Sequence, residues 1–329
     1  MSAFVLRRLL SLLPTLIGIT IIAFVILNLI PSDPILTWSG RGPLPSAEAM
    51  RHLEAELRID RGPVMRYLDW AWALMRGDLG RSLRDGRPVT TIVAEALPWT
   101  LLLNACALVL IYSLALPFGY LGAMNPGSFV DRSGAWLLLW LYAVPAFAAA
   151  LVLQQTLAVN LRLLPLQGIG SPHGLVDGPG RLLELLRHLI LPASCVALTG
   201  WAFVARYARA AFRSTMGRAF LVVARARGVS RTRAALHVVA GSAVPLITLS
   251  GALLPSLVSG SVIIEQIFSW PGVGRLYLGA IQARDYPVIL SLTLLSAVAV
   301  LVGQLLVDLL YVIVDPRTRS GLIAEEADG

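Results

Sequence analysis

Long uncharged apolar stretches recur along the chain, and polar or arginine-containing segments separate them. Six of these stretches are long enough to cross the hydrocarbon core of a membrane, which takes about 20 helical residues at a rise of about 1.5 Å per residue. They run approximately over residues 9–30, 97–121, 135–159, 189–205, 239–264 and 287–307. The pattern therefore predicts an all-α fold, a multi-pass transmembrane helical bundle of about six spans.

Composition agrees with a membrane protein. Hydrophobic residues make up 57% of the chain and charged residues 14%, so the apolar surface exceeds what one soluble core could bury. The net charge of +8 does not indicate nucleic-acid binding, because apolar stretches that no soluble domain needs interrupt the basic residues. Arginine supplies all 27 basic residues, and the absence of lysine excludes a P-loop lysine and a Schiff base. If ATP drives this protein, another chain hydrolyses it.

The distribution of arginine predicts the orientation in the membrane. Eight arginines and no acidic residue lie between Arg206 and His237, which places this segment in the cytoplasm. With six spans, both termini are then cytoplasmic and residues 31–96 lie outside. Arg7 and Arg8 precede a first stretch that lacks a small-residue cleavage site, so we expect an uncleaved anchor.

These assignments divide the chain into four parts. Residues 1–30 form a cytoplasmic tail and the first span, 31–96 an extracytoplasmic segment, 97–312 the transmembrane core with its cytoplasmic segment 206–238, and 313–329 a cytoplasmic tail.

The extracytoplasmic segment has two amphipathic patterns. Ser46 is a helix-capping residue type, and Pro63 suits a helix start. Met50, Leu53 and Leu57 share one helical face, and Met65, Leu68, Trp72 and Met75 share another. We expect two short helices that lie on the membrane, under a partner, or on the outer surface of this chain itself.

Ionisable groups are absent from the middle of every predicted span, which disfavours a proton-driven secondary carrier. Glu265 and Asp308 lie only at span ends. The remaining polar groups either face a pathway or form hydrogen bonds between helices. They are Asn104, Gln154, Gln155 and Asn160.

An intramembrane enzyme would need a nucleophile and base, a carboxylate pair or a metal site. The chain has no HExxH or GxSxG motif, and its four histidines are scattered. Cys106 and Cys195 lie within apolar stretches. We therefore expect no enzyme activity and no cofactor or metal on this chain. A membrane scaffold stays an alternative, although it would not require an arginine-rich helix between two spans.

That arginine-rich helix is predicted over residues 219–227 and ends at Gly228 in the C′ position. Ser230 then caps a second helix. Phe220, Val223 and Ala224 form a small apolar face that fits a groove on a soluble partner, or the helix is held to anionic lipid.

Residues Phe220–Gly228, FLVVARARG, resemble the EAA loop of ABC importer permeases. Ala224 and Gly228 fit the EAA-x3-G spacing, whereas Val222 and Val223 stand at the Glu and first Ala positions. In that family the loop forms the coupling helix that contacts the ATPase subunit. The resemblance implies this role for Phe220, Val223, Ala224, Arg225, Ala226, Arg227 and Gly228.

Further motifs follow in the order typical of the peptide-importer branch. They are IPSDP at 30–34, GDLGRS at 77–82, Glu265 with FSWPGVG at 268–274, ARDYP at 283–287, and DLLY and DPR at 308–311 and 315–317. Ser32 departs from the usual Gly of the first motif. The ordered set resembles the permease subunit of a binding-protein-dependent importer of the peptide/nickel type.

The resemblance implies a type I importer permease fold in the bacterial plasma membrane. It implies a second homologous permease subunit, two ATPase subunits that use ATP and Mg²⁺, and an extracytoplasmic binding protein. The solutes implied are di- or oligopeptides, with nickel or another small solute as the alternative. An outer gate or a docking surface for the binding protein is expected at Glu265, Trp270, Pro271, Gly272, Gly274, Arg284 and Asp285.

Overall fold

The computed structural model describes residues 2–29, 62–170, 179–217, 228–253 and 261–314. In this part of the chain the regular structure is helical, apart from an isolated antiparallel bridge between Arg81 and Pro88. The all-α prediction is confirmed. The helices are α1 (Ser2–Leu29), α2 (Pro63–Met75), α3 (Val89–Met124), α4 (Phe129–Ala143), α5 (Ala146–Leu153), a π-helix (Gln154–Asn160), α6 (Pro179–Met216), α7 (Arg231–Gly241), α8 (Ala243–Leu253), α9 (Val262–Ile267), α10 (Val273–Ala283) and α11 (Tyr286–Val314).

Two unbroken helices, α3 and α11, are long and apolar enough to cross a membrane. Three further spans are possible if each bent helix pair counts as one. These pairs are Asp131–Ala143 with Ala146–Asn160 at 95°, Gly180–Leu198 with Gly200–Met216 at 50°, and Thr232–Gly241 with Ala243–Leu249 at 56°. Helix α1 adds a shorter apolar stretch, Ser11–Leu27. Residues 144–145 thus interrupt the third predicted span and Ser242 interrupts the fifth, whereas the fourth lies within the single bent helix α6.

Local chemistry accounts for the sharpest bend and for one helix start. Pro145 lacks an N–H group, and Val144 before it has left the helical region with ψ at 122°, so α4 ends there. Helix α3 begins at Val89, ahead of the span start expected at 97. Pro88 precedes it, and neither Gly nor Pro interrupts residues 89–96.

The chain divides into two compact units, Met1–Pro98 with Leu276–Val298 and Trp99–Arg275 with Ala299–Gly329. The second unit has a core of small and aliphatic side chains from α3, α4, α6 and α8. They are Ile111, Ala115, Leu138, Ala197, Ala202, Val204, Ala205 and Leu249. A Cβ at Gly119 would lie 2.9 Å from the backbone nitrogen of Arg209. Small residues thus bring the α3 and α6 backbones close together, as is typical of helices packed in lipid.

In the first unit, α2 packs against α1. The Tyr67 hydroxyl lies 3.0 Å from Oγ1 of Thr20. The ring of Phe24 meets those of Tyr67 and Trp70 at centroid distances of 5.5 and 6.3 Å. The helix predicted after Pro63 is thereby confirmed, and its place outside the membrane stays a prediction. The helix predicted after Ser46 lies outside the described residues.

Candidate functional site

A buried carboxylate, Glu265 in α9, joins three helices of the second unit. Its Oε1 accepts a hydrogen bond from the Thr100 hydroxyl of α3 at 2.9 Å, and its Oε2 accepts the backbone N–H of Arg275 at 3.0 Å. Thr100 Oγ1 in turn accepts the N–H of Val273 at 2.7 Å. Distant side chains thus satisfy N–H groups in the first turn of α10 that have no partner within the helix. We call these four residues the Glu265 network.

The Glu265 side chain is 0% exposed. Glu265 comes after the bent helix pair Thr232–Gly241 and Ala243–Leu249. It therefore lies outside the helices that are long and apolar enough to cross a membrane. Burial raises the pKa of the Glu265 carboxyl above its ordinary value, and the donors Arg275, Thr100 and Gly274 act in the opposite direction. The burial effect is the larger, so this carboxyl releases its proton at a higher pH than an exposed glutamate.

Two glycines make room for the carboxylate. A Cβ on Gly272 would lie 2.5 Å from Oε2 of Glu265 and would also overlap Oγ1 of Thr100. A Cβ on Gly274 would lie 2.8 Å from the Cα of Val262 and 3.0 Å from the same Glu265 oxygen. Close approach of the backbone to Glu265 therefore explains the glycines of the PGVG sequence.

Trp270 anchors the turn that precedes these glycines. Its Nε1 donates to the carbonyl oxygen of Trp99 at 2.9 Å, and the two indole rings meet edge to face at 5.8 Å. Its backbone N–H donates to the Glu265 carbonyl oxygen at 2.8 Å, after a left-handed Ser269 with φ at 51°. Trp270 is fully buried, so it positions the turn and offers no surface on this chain.

The first unit holds a second carboxylate network, between Ser82 and Asp285. The Ser82 hydroxyl donates to Oδ2 of Asp285 at 2.5 Å, and the Leu83 N–H donates to Oδ1 at 3.1 Å. The Arg84 N–H approaches Oδ2 at 3.4 Å. Ser82 and Asp285 are both buried. The turn after Ser82 thus forms a concave set of donors for a carboxylate that lies 203 positions later in the chain.

A third pair joins the start of α4 to α6. Nε and Nη2 of Arg209 donate to the two carboxylate oxygens of Asp131 at 2.6 and 2.7 Å. The Gly127 N–H adds a bond to Asp131 at 2.9 Å, and Ser128 caps α4 by accepting the Asp131 N–H. The bidentate geometry fixes the distance and the orientation between the start of α4 and this part of α6.

Hydrogen bonds also join the helices on the two sides of the arginine-rich residues 218–227. The Ser242 hydroxyl, between α7 and α8, donates to the Ala211 carbonyl oxygen of α6 at 3.2 Å. Its single proton is then used, so the Thr215 hydroxyl is the donor in the 2.8 Å contact with Ser242. Thr215 and Ser242 are buried, and this contact ties α6, before residues 218–227, to the helices that follow them.

Comparison with known proteins places this arrangement in a family. The family described as "Binding-protein-dependent transport system inner membrane component" matches residues 115–320, and the one described as "Binding-prot-dependent transport system membrane comp, N-term" matches residues 1–104. The chain belongs to the family of binding-protein-dependent transport system inner membrane components.

Similar proteins of this family match almost end to end. This chain is 36% identical over 319 residues to the oligopeptide transport system permease protein AppB of Bacillus subtilis (strain 168). The alignment covers 96% of this chain and 99% of the relative. The chain is 34% identical over 338 residues to the dipeptide transport system permease protein DppB of Escherichia coli (strain K12), covering 97% and 99%. The multi-pass membrane location expected from the apolar stretches, and the inner membrane that the resemblance implied, both agree with this family.

The residues predicted to form an outer gate or a docking surface do not form one cluster in the described part of the chain. Glu265, Trp270, Gly272 and Gly274 come together in the second unit, where Pro271 is partly exposed. Asp285 belongs to the network with Ser82. Arg284 is exposed and left-handed, with φ at 52°. A role of these residues as a gate or docking surface stays a prediction.

Of the expected coupling residues, Phe220, Val223, Ala224, Arg225, Ala226 and Arg227 lie outside the described residues. Gly228 is described, and its φ of 76° agrees with the expected C′ position. The predicted cap is confirmed, because Ser230 Oγ accepts the N–H of Arg233 at 3.4 Å in the first turn of α7.

The ion pair between Asp131 and Arg209 was not expected from the sequence. The eight arginines between Arg206 and His237 have no acidic residue among them, yet Arg209 is compensated from another helix. The available signal was weak: Asp131 is an acid shortly before a neighbouring predicted span, at the end expected to face the cytoplasm. Nothing in the sequence selects Arg209 from the eight arginines as its partner.

Polar groups that could have faced a pathway are engaged in local structure. Nε2 of Gln154 donates to the Leu166 carbonyl oxygen at 3.0 Å. Nε2 of Gln155 donates to Oδ1 of Asn160 at 3.2 Å. Asn104 is buried and has an interaction partner. These contacts favour the structural interpretation of all four positions.

Proposed function

We propose that this chain is the channel-forming permease subunit of an ATP-driven importer that moves di- or oligopeptides across the bacterial plasma membrane. The observation that carries the proposal is the end-to-end similarity to an oligopeptide and a dipeptide transport system permease. A binding protein delivers the solute from outside. ATP and Mg²⁺ are used by partner chains, since this chain has no lysine for a P-loop.

The proposed assembly contains a second, homologous permease subunit and two ATPase subunits. The segment 219–228 docks against an ATPase, and its arginines contribute attraction and register. Movement of the ATPase then passes to α6 and to α7 together, because the contact between Thr215 and Ser242 joins the two sides of the segment. Such a linkage supports rocking of whole helices as the transport step.

The outer segment 31–96 and residues 265–286 are the proposed docking positions for the binding protein. Arg284, after α10, offers an exposed charge. The buried members, Glu265, Trp270 and Asp285, act by fixing the backbone that carries exposed residues. Deleting residues 46–76 should remove binding-protein association from an inserted permease, and unaltered association would contradict this role.

The function is tested by uptake in a strain that lacks the gene. We expect complementation to restore accumulation of a labelled dipeptide or short oligopeptide, with competition by unlabelled peptide. Restoration of labelled nickel uptake, without peptide uptake, would replace the peptide by the alternative solute. Failure of both, with the chain inserted and assembled, would overturn the solute assignment.

Assembly is tested separately by purification of the tagged protein from its native membrane in mild detergent, followed by mass spectrometry. A second permease and P-loop ATPases should travel with it. Recovery of this chain alone, across several detergents, would contradict the proposed assembly and favour a scaffold or a carrier.

A further inference from the structure

Helix α2 has an exposed apolar face on the side away from α1. Five large side chains on it are exposed by 53–72% and fall within an arc of about 100° around the helix. They are Val64, Met65, Leu68, Trp72 and Met75. No charged residue lies within this arc. We call these five residues the α2 outer face.

The opposite side of α2 carries the polar contacts. Tyr67 and Trp70 face α1, and the partly buried Arg66 lies on the same side. Asp69 is also partly buried. A helix between water and a protein core has the reverse arrangement, with its charges outward. The polarity of α2 is therefore that of a helix whose outer surroundings are apolar.

The position of α2 on α1 identifies those surroundings. The apolar stretch of α1 ends at Leu27, and its Ile17, Ile22 and Val25 side chains are exposed in the same way. The contacts with α2 are made by Phe24 and Thr20, which lie about 5 and 10 Å inside that end at about 1.5 Å per residue. Interfacial helices bury their apolar face to about this depth, roughly 5–10 Å.

The end of α2 has the chemistry of the membrane interface. The Arg76 guanidinium lies 4.8 Å from the ring centroid of Trp72. Tryptophan is enriched where the acyl chains meet the headgroups, and an arginine beside it places its charge towards water while its methylenes cover apolar surface. A cation–π contact of this kind stabilises both side chains there.

We propose that the α2 outer face is embedded in lipid at the membrane interface, so that α2 fastens the extracytoplasmic segment to the bilayer beside α1. Its occupant is the boundary between acyl chains and headgroups. The binding protein, the second permease and a second copy of this chain do not cover it. The proposal rests on the membrane location of the chain and does not depend on the solute transported.

The test uses spin labels on the full-length protein in its assembled transporter, reconstituted into vesicles of phosphatidylethanolamine and phosphatidylglycerol. Cys106 and Cys195 are replaced by alanine, and a nitroxide is attached to Leu68→Cys or, as a second position, Met75→Cys. Accessibility to dissolved oxygen, which concentrates in lipid, is compared with accessibility to a water-soluble nickel chelate. Ile22→Cys serves as the lipid-facing control and Arg84→Cys as the water-facing control.

We expect the ratio of oxygen accessibility to nickel-chelate accessibility at position 68 or 75 to approach the ratio at position 22. It should be several-fold higher than the ratio at position 84. This ratio should stay unchanged when saturating binding protein is added. A high nickel accessibility would show that water covers the face. Low accessibility to both reagents, or a loss of oxygen accessibility on addition of binding protein, would show that protein covers it. Either of these results overturns the proposal.

Discussion

At the scale of single residues, helix α10 depends on partners far away in the sequence. Gly272 precedes it and has no side chain with which to cap it. Thr100 and Glu265 instead accept the N–H groups of Val273 and Arg275. The arrangement works only while the backbone at Gly272 and Gly274 stays close to the carboxylate. The FSWPGVG sequence is thus explained by the space and the hydrogen bonds that Glu265 requires.

Gly272→Ala should destabilise the protein by about 1–3 kcal/mol, because the new methyl overlaps Thr100 and Glu265. The measurement is the free energy of unfolding, or the thermal midpoint, of the purified protein in detergent. Gly279→Ala is the matched control. It lies within α10, and the nearest atom to its Cβ is Nη1 of Arg84 at 3.9 Å. The control should be neutral or stabilise by up to about 1 kcal/mol; equal losses in both variants would contradict this explanation.

Glu265 should also make stability depend on pH. Burial raises the folded-state pKa of Glu265, so protonated Glu265 stabilises the folded protein relative to the ionised form. This stabilisation is complete below the unfolded-state pKa of about 4.3 and is lost as the pH rises through the folded-state pKa. Glu265→Gln has no carboxyl group at this position, so its stability does not fall with pH for this reason. The thermal midpoint of the variant, relative to wild type, should therefore increase as the pH rises above about 4.3.

Glu95→Gln, at an exposed glutamate in the same chain, controls for removal of a charge. A difference between Glu265→Gln and wild type that stays constant from about pH 4 to pH 8 would mean that the pKa of Glu265 is the same in the folded and the unfolded state.

Gly228 has a backbone conformation that β-branched residues avoid, with φ at 76°. Gly228→Val should distort the end of the coupling segment, at a cost of about 1–2 kcal/mol for a left-handed residue. Uptake should be abolished while the amount of protein in the membrane fraction stays normal. Gly228→Asn should retain uptake, because asparagine tolerates this conformation. Normal uptake by the valine variant would count against the coupling role.

At the scale of elements, three of the six predicted spans are bent or broken, and polar contacts hold the pieces together. Pro145 ends α4, and α5 and the π-helix continue at 95° to it. Ser242 lies between α7 and α8, where its hydroxyl binds α6. Asp131 joins the start of α4 to α6 through Arg209. These contacts fix neighbouring helices to one another.

The pair between Asp131 and Arg209 should contribute measurably to stability. Asp131→Asn removes the charge while Arg209 stays partly buried, so we expect a loss of about 1.5–3 kcal/mol. Adding Arg209→Gln should cost less than the sum of the two single changes, because the variants share one interaction. Arg213→Gln, on the same helix and exposed, should change stability by less than about 0.5 kcal/mol. Additive losses in the double variant would show that the pair contributes nothing.

At the scale of the whole molecule, family membership and the helical content agree with a multi-pass membrane component. Its orientation stays a prediction from the distribution of arginine. Fluorescent-protein fusions at Gly127 and Val229 should be fluorescent, since these sites are expected in the cytoplasm. Alkaline phosphatase fusions at Asp85 and Gly168 should be active outside. The reverse pattern at all four sites would overturn the orientation and with it the cytoplasmic position of the coupling segment.

Several parts of the fold could be predicted without coordinates because their signals are local. Pro63 and the apolar pattern after it predicted α2, and Ser230 predicted the cap of α7. Apolar content over about 20 residues predicted the two unbroken spans, α3 and α11. The start of α3 and the bend after Val144 were missed, since apolar content says little about where a helix begins or breaks.

The amino-acid sequence by itself determined the class of this protein, the number of apolar stretches and the motifs that assign its family, because each depends on neighbouring residues or on their order. Only the tertiary structure decided that Thr100 meets Glu265, that Ser82 meets Asp285 and that Asp131 meets Arg209. These pairs are 165, 203 and 78 positions apart. Which polar groups meet at such separations is set by how the helices pack, since a buried donor or acceptor takes the partner that packing brings within reach.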